Sequence, residues 1–142
     1  MRILLLMLGK TRRPEMRTAL DDYIKRVGHQ TPIEIAEVRD APAALKRLDA
    51  DRAATIVLLD AGGKAYSSEA LAKWFGDHRD RSTRQIIFLC GDANGFPDEL
   101  RARGQTKLSL STMTFSHELA RVMLAEQLYR AFAILSGSPY PR

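Results

Sequence analysis

The apolar residues of this chain fall into short, evenly spaced runs. Residues 3–8 form a continuous apolar hexamer, Ile33–Val38 alternates in part, and residues 56–59 are apolar after Thr55. Residues 86–90 are apolar again, and the run at 108–110 is shorter. Short continuous runs of this kind suit strands buried on both faces of a parallel sheet. Helix-length segments separate them. The first, residues 14–27, opens on Pro14 and stops before Gly28, as a helix with an early proline and a terminal glycine does. Residues 41–51 carry Pro42 near their start and Ala44, Leu45 and Leu48 inside. Residues 67–77 follow two serines and carry Leu71, Trp74 and Phe75, and a short segment at 97–103 closes at Gly104. The strict alternation predicts an α/β fold: one domain over residues 1–142, with a mostly parallel sheet and helices on both faces.

The last helix, SHELARVMLAEQLYRAFAIL at 116–135, breaks the pattern. At about 100° per residue, Leu119, Val122, Leu124, Leu128, Phe132 and Ile134 point in several directions. A helix apolar most of the way round needs cover on more than one side. Either it is central in a monomer, or it forms a subunit interface. The interface is the stronger expectation, because so small a domain has little chain left to cover it twice. Glu126 and Arg130 within it make an i,i+4 pair.

Composition narrows the picture. With 45% hydrophobic and 27% charged residues the chain can bury a core and is not of disordered type. The balance of 22 Lys+Arg against 17 Asp+Glu gives +5, compatible with a polyanionic partner and equally with simple solubility. A single cysteine, Cys90, excludes an internal disulfide, and its apolar run suggests a buried, inert thiol in a reducing compartment. His29, His78 and His117 lie far apart and give no metal-ligand spacing, so no metal is expected. The apolar start is too short for a membrane span, which makes no membrane association and a cytoplasmic location the expectation.

In parallel α/β sheets ligands gather at the carboxyl ends of strands. Three such ends are rich in small residues: LLDAGGKAYSS at 58–68, LCGDANGFP at 89–97 and LSLSTMTFS at 108–116. Small residues let backbone N–H and C=O groups approach a ligand. None is a Walker motif, because Gly62-Gly63-Lys64 lacks the upstream glycine, and none is a dinucleotide fingerprint. Each loop alone reads as a tight turn. Three at one sheet edge offer backbone hydrogen bonding, with few charged side chains in the last loop, which suits a nucleoside-like ligand better than a triphosphate. The residues alone also leave open a flavodoxin-like nucleotide-binding domain.

The tail, LSLSTMTFSHELARVMLAEQLYRAFAILSGSPYPR at 108–142, resembles the C-terminal signature of the SPOUT methyltransferases. Within that superfamily the chain is similar to the ribosomal RNA large-subunit methyltransferase H family, over its whole length and in the family's order. RILLLMLGK, LLDAGGKAYSSEALA, the glycine loop and S-L-S-x-x-T with His117, Arg121 and AEQLYRA carry the likeness. The resemblance implies a C-terminal trefoil knot, a homodimer with the active site near the subunit boundary, and S-adenosylmethionine as cofactor. It implies methylation of N3 of a pseudouridine in large-subunit (23S) ribosomal RNA, within the large subunit or the whole ribosome. By match, the cofactor residues are Leu59, Asp60, Cys90, Gly91, Gly95, Ser111, Thr112, Met113, Thr114, Phe115 and Ser116. The family's usual tail is His-Pro-Tyr-His-Arg, and here it is Ser138-Pro139-Tyr140-Pro141-Arg142. Tyr140 and Arg142 match, and both histidines are replaced. Tyr140 is expected to orient the base or donate to it, and Arg142 to hold a phosphate or offset charge. His117 is a candidate base or a capping residue, and Arg121 a candidate for RNA phosphate contact, a cofactor-site role or plain surface charge. The family's Gly-Gly-x-x-Gly loop becomes Cys90-Gly91-Asp92-Ala93-Asn94-Gly95, with one residue too many if Gly91 takes the second glycine's place. The missing histidines leave a second reading, a knotted ribosome- or RNA-binding protein without turnover.

Overall fold

A computed structural model describes residues 1–140. Five parallel strands lie in the order β2-β1-β4-β3-β5. In chain order the elements are β1 (Arg2–Leu8), α1 (Pro14–Gly28), β2 (Ile33–Val38), α2 (Ala41–Asp49), β3 (Thr55–Ala65), α3 (Ser68–Asp80), β4 (Gln85–Cys90), α4 (Asp98–Arg101), β5 (Thr106–Ser109) and α5 (His117–Leu135). All strand pairs are parallel, so the expected alternation of strand and helix is present throughout.

The apolar hexamer of β1 explains why helices cover both faces. Successive side chains of a strand point to opposite sides. Ile3, Leu5 and Met7 join one core with Leu20, Phe75, Leu124, Leu128 and Phe132, from α1, α3 and α5. Leu4, Leu6 and Leu8 join the other with Ala44, Leu48 and Leu100, from α2 and α4. β1 lies between β2 and β4, with Ile3 opposite both Ile33 and Ile86. Three helix starts, those of α2, α3 and α5, are fixed by side-chain caps: Asp40 accepts from Ala43 N, Ser67 from Ala70 N and Ser116 from Leu119 N.

β3 runs further than its apolar run predicts. Leu108 of β5 pairs with both Leu59 and Lys64, so residues 60–63 arch out between them and the strand then resumes. Polar Asp60 and the two glycines hide the resumption, because they read as a loop. α5 buries Leu124, Ala125, Leu128, Ala131 and Phe132, while Val122, Met123, Tyr129 and Ile134 stay half-buried and Leu119 is exposed. Among the described residues no helix is long and apolar enough to cross a membrane.

Candidate active site

The carboxyl ends of β3, β4 and β5 and the start of α5 enclose one open cleft of about 190 Å³. Leu59, Asp60 and Ala61 form one wall, and Cys90, Gly91, Asp92, Gly95 and Phe96 a second. Leu110, Ser111, Met113, Thr114 and Phe115 form a third, with His117 and Ala120 of α5 beneath and Arg101 of α4 at the rim. Most of the residues matched to a cofactor role therefore meet here, although they come from three separate loops. Thr112 and Ser116 do not line the cleft; Ser116 spends its hydroxyl on capping α5, 3.3 Å from Leu119 N.

Hydrogen bonds set the shape of each wall. Gly95 N donates to Asp92 O at 3.0 Å, and Asn94 N to the Asp92 carboxylate at 2.8 Å, which closes the glycine loop. Gly95 has φ +80°, the left-handed region that glycine enters at low cost. A Cβ on Gly91 would lie 2.9 Å from Gly95 O and 3.1 Å from its carbonyl carbon, so only glycine fits there. In a Gly-Gly-x-x-Gly loop the first and last glycines are four apart, as Gly91 and Gly95 are. On that spacing Gly91 falls at the first glycine's place and Asp92 at the second's. Cys90 ends β4 with its side chain buried, and burial pushes its thiol up to about 12, which makes it inert near neutral pH. The Ser109 hydroxyl sits 3.0 Å from Ala61 O and 2.9 Å from Ser111 O, donating to one at a time and tying the 60–63 arch to the loop after β5. Arg101 donates to the Asp60 carboxylate at 2.8 Å and holds its carboxyl below the ordinary value. Arg101 is thus already compensated by Asp60, and the rest of the lining is apolar surface and backbone with Asp92, Ser111, Thr114 and His117 as its polar side chains. A lining of that kind fits an adenosine-bearing ligand and offers little to a triphosphate.

Gly91→Ala gives a direct check on the cradle. The added carbon forces the 91–95 turn open, so if the cleft takes a nucleoside-like ligand, its affinity measured by calorimetry is expected to fall about 5- to 150-fold, an overpacking cost of about 1–3 kcal/mol. Unchanged affinity would show that the turn does not touch the ligand.

Arg121 departs from its expected role. It is fully buried and lies on no part of the cleft wall. Its guanidinium donates to Leu8 O at 2.6 Å, Gly9 O at 3.1 Å and Thr11 Oγ1 at 3.0 Å, with Glu37 at 3.7 Å. It is a structural arginine that anchors the β1–α1 turn; RNA phosphate cannot reach it, and it is not surface charge. Two carboxylates complete the anchor. Glu37 accepts from Thr11 N at 2.6 Å and from Arg17, and buried Glu118 accepts from Arg12 N at 2.9 Å and Arg13 N at 3.0 Å. No local sequence signal exposes this network, because Glu118 and its partners are more than a hundred positions apart.

Burial pushes the Glu118 and Glu37 carboxyls up, but the donated hydrogen bonds outweigh it and hold both below the ordinary 4.5. A lowered folded value means stability that is complete above that ordinary value and lost as pH falls through the lowered one. The difference in melting temperature between the native chain and Glu118→Gln is therefore expected to stay constant from neutral pH to about pH 5 and to shrink below that. A difference that widens in acid would contradict the assignment.

His117 lies at the cleft, its Nε2 3.9 Å from the Glu118 carboxylate. Tyr140 does not join it. Its hydroxyl donates to Glu126 at 2.8 Å, and its ring stands edge-on to Tyr129 at 4.6 Å. Glu126 is nine residues beyond His117 in α5, about 13 Å along the axis. Burial and the Glu126 carboxylate push the Tyr140 hydroxyl well above its ordinary value. Arg142 lies outside the described residues. Arg101 and Ala120 are cleft residues outside the three loops, while Ala61 and Leu110 lie inside them without having been singled out. Phe96 and Asp92 sit inside a recognised loop; Arg101 has no signal, since its partner is 41 positions away. Among the described residues no group of three or more His, Cys, Asp and Glu could hold a metal.

A family described as "Predicted SPOUT methyltransferase" matches residues 1–141. The chain belongs to the SPOUT methyltransferase family. The ribosomal RNA large subunit methyltransferase H of Geotalea daltonii is 40% identical over 151 residues, across 99% of this chain and 99% of that one. The protein of the same name from Pelobacter propionicus is 41% identical with the same coverage. A probable methylase family protein of Haemophilus influenzae shares the fold at TM-score 0.63 and 11% identity, over 99% of this chain and 70% of that one. The SpoU methyltransferase AviRb of Streptomyces viridochromogenes, solved in complex with AdoMet, shares it at TM-score 0.58 and 13% identity. That alignment covers 96% of this chain and 59%, less than two thirds, of the longer one. This SPOUT chain and the two solved proteins thus have a fold in common at sequence identities too low to say more.

Proposed function

We propose that this SPOUT methyltransferase is S-adenosylmethionine-dependent and methylates N3 of a pseudouridine in large-subunit ribosomal RNA, as a homodimer. One observation carries the reading: three small-residue strand ends and the start of α5 meet in a single cleft, in a chain similar end to end to enzymes named for that RNA. The cofactor would lie against Leu59, Gly91, Gly95, Ser111, Met113, Thr114 and Phe115, and would supply a methyl group on a sulfonium, ready for in-line displacement. The tail from β5 onward forms the family's trefoil knot.

The chain's own part is mostly positioning. Bringing the base nitrogen in line with the methyl carbon lowers the barrier by removing translational and rotational freedom. The imino nitrogen must also lose its proton, and His117 is the imidazole beside the cleft that is able to receive it. Tyr140 serves the partner's cleft across the dimer boundary, since in its own chain it rests against Glu126. Burial and the Glu126 carboxylate keep its hydroxyl protonated. The half-buried apolar strip of α5 supplies the dimer contact.

The second reading, a ribosome-binding protein without turnover, is favoured by the tail: Ser138 and Pro141 stand where the family has histidines, and Tyr140 is engaged away from the cleft of its own chain. One experiment separates the two. The purified protein is incubated with unmodified large subunits and labelled S-adenosylmethionine, and the labelled nucleotide is mapped. Label on one pseudouridine supports the enzyme, whereas cofactor binding with no label on the RNA supports the second reading. No cofactor binding at all would end both the assignment of the cleft and the enzyme reading.

A further inference from the structure

The turn after β1 is built with more care than a connection needs. Residues 10–13 read Lys-Thr-Arg-Arg, and Lys10, Arg12 and Arg13 are exposed while Thr11 is buried. Three consecutive backbone N–H groups in it are held by carboxylates from beneath: Thr11 N by Glu37, and Arg12 N and Arg13 N by the two oxygens of Glu118. Arg121 binds Leu8 O, Gly9 O and the Thr11 hydroxyl from inside the fold. Burying Glu118 and Arg121 is costly unless they are fully engaged. Here the engagement fixes the backbone of a turn whose outward side chains are cations.

The position of the turn is equally specific. Glu118 follows His117, which lines the cleft, so the turn is registered to the cleft through the first residues of α5. Met7 of β1 is opposite Cys90 of β4, which places the turn one strand from the glycine loop. Arg39, whose side chain is 92% exposed and has the Asp40 carboxylate 3.6 Å from its Nε, leaves β2 at the same sheet edge, where Gly9 N bonds Val38 O. Arg13 is partly occupied by exposed Glu15, at 2.8 Å. Lys10, Arg12 and Arg39 are the cations best placed to act outward.

We propose that residues 10–13, with Arg39, form a rigid ledge that binds the phosphodiester backbone of the RNA strand carrying the target base. Rigidity matters because flexible cations give affinity without register, whereas a fixed row of charges sets where the strand lies relative to the cleft. Phosphate contacts of this type position the nucleic acid and do not read its sequence. Choice of base remains with the cleft. The inference rests on the reading that RNA is the substrate.

The test uses the full chain, the double variant Lys10→Ala/Arg12→Ala, and purified large ribosomal subunits as the probe. Binding is measured over a range of salt, and S-adenosylmethionine affinity separately by calorimetry. Removing one phosphate-binding cation should flatten the slope of log affinity against log salt by about 0.7. The double variant is therefore expected to bind subunits roughly tenfold more weakly near 0.1 M salt, with a slope smaller by about 1.4. Its cofactor affinity should match that of the native chain. Both substitutions are at exposed positions, so folding is preserved. Glu118→Gln keeps every cation but loosens the turn; subunit affinity should fall with the slope unchanged, a result that loss of charge alone does not give. Native slope and affinity in the double variant would overturn the ledge, and native affinity in Glu118→Gln would overturn its clamping. If the native chain binds subunits but transfers no methyl group, the enzyme reading fails alone, and the salt slope still decides the ledge. If the native chain binds no subunits, both fall together.

Discussion

Arg121→Met lowers the melting temperature by about 10 °C. The arginine is completely buried and donates three hydrogen bonds, to Leu8 O, Gly9 O and the Thr11 hydroxyl. Methionine fills much of the volume but leaves those acceptors unpaired in the interior, at about 1–3 kcal/mol for each that water cannot reach. Glu37 keeps Arg17 and Thr11 N, so it is not stranded. Removing a desolvated charge offsets part of the loss, and Arg121 Nε has no partner among the described residues to begin with. The sum is a loss of about 3 kcal/mol. Lysine at 121 should recover only part of it, because one ammonium cannot reproduce the planar fork that reaches two carbonyls and a hydroxyl. Thermal unfolding followed by circular dichroism makes the measurement. A methionine variant within about 2 °C of the native chain would mean the network contributes little to stability.

Gly63→Ala should be nearly as damaging, while Gly62→Ala should be close to silent. The two glycines are adjacent in the 60–63 arch, yet their surroundings differ. A Cβ at Gly63 would lie 2.5 Å from Lys107 O and 2.6 Å from its carbonyl carbon, both main-chain atoms of β5. That is about 0.9 Å short of ordinary contact, and no rotamer change relieves a clash with backbone. Either β5 moves or the arch opens, and Ser109, at the end of β5, is what ties the arch to the loop lining the cleft. A loss of about 3 kcal/mol is expected, with cofactor binding abolished, since two of the three walls shift. At Gly62 the nearest atoms to a Cβ are the flexible Asp60 carboxylate oxygens, at 3.8 and 4.0 Å. Calorimetry and thermal melts on both variants decide the matter. Equal behaviour of the pair would refute the close β3–β5 approach.

These two positions also mark where sequence reading stops. Gly62 and Gly63 look alike as letters, and both read as loop. Only the return of β3 beside β5 distinguishes them. Arg121 reads as an outward or idle surface charge because an arginine on a helix is usually exposed. Its partners sit more than a hundred residues earlier, in the turn after β1. Resemblance places Tyr140 at the substrate. Within one chain it rests on Glu126, well along α5 from the cleft.

What the residue pattern determined was the layered fold. The unbroken apolar runs of β1 and β4 require cover on both faces, and the intervening amphipathic helices provide it, so strand and helix order follow from local periodicity. The family was legible for a related reason, because its signature lies in contiguous stretches. The three strand ends that line the cleft were legible too, because small residues in sequence-local loops carry their own signal. The tertiary structure decided everything that depends on distant residues meeting: Arg101 on Asp60, Ser109 between two loops, and Glu118, Glu37 and Arg121 beneath the 10–13 turn. Hydrogen bonds between residues forty or a hundred positions apart leave no periodicity in the chain. They exist only once the apolar cores have brought the strand ends together.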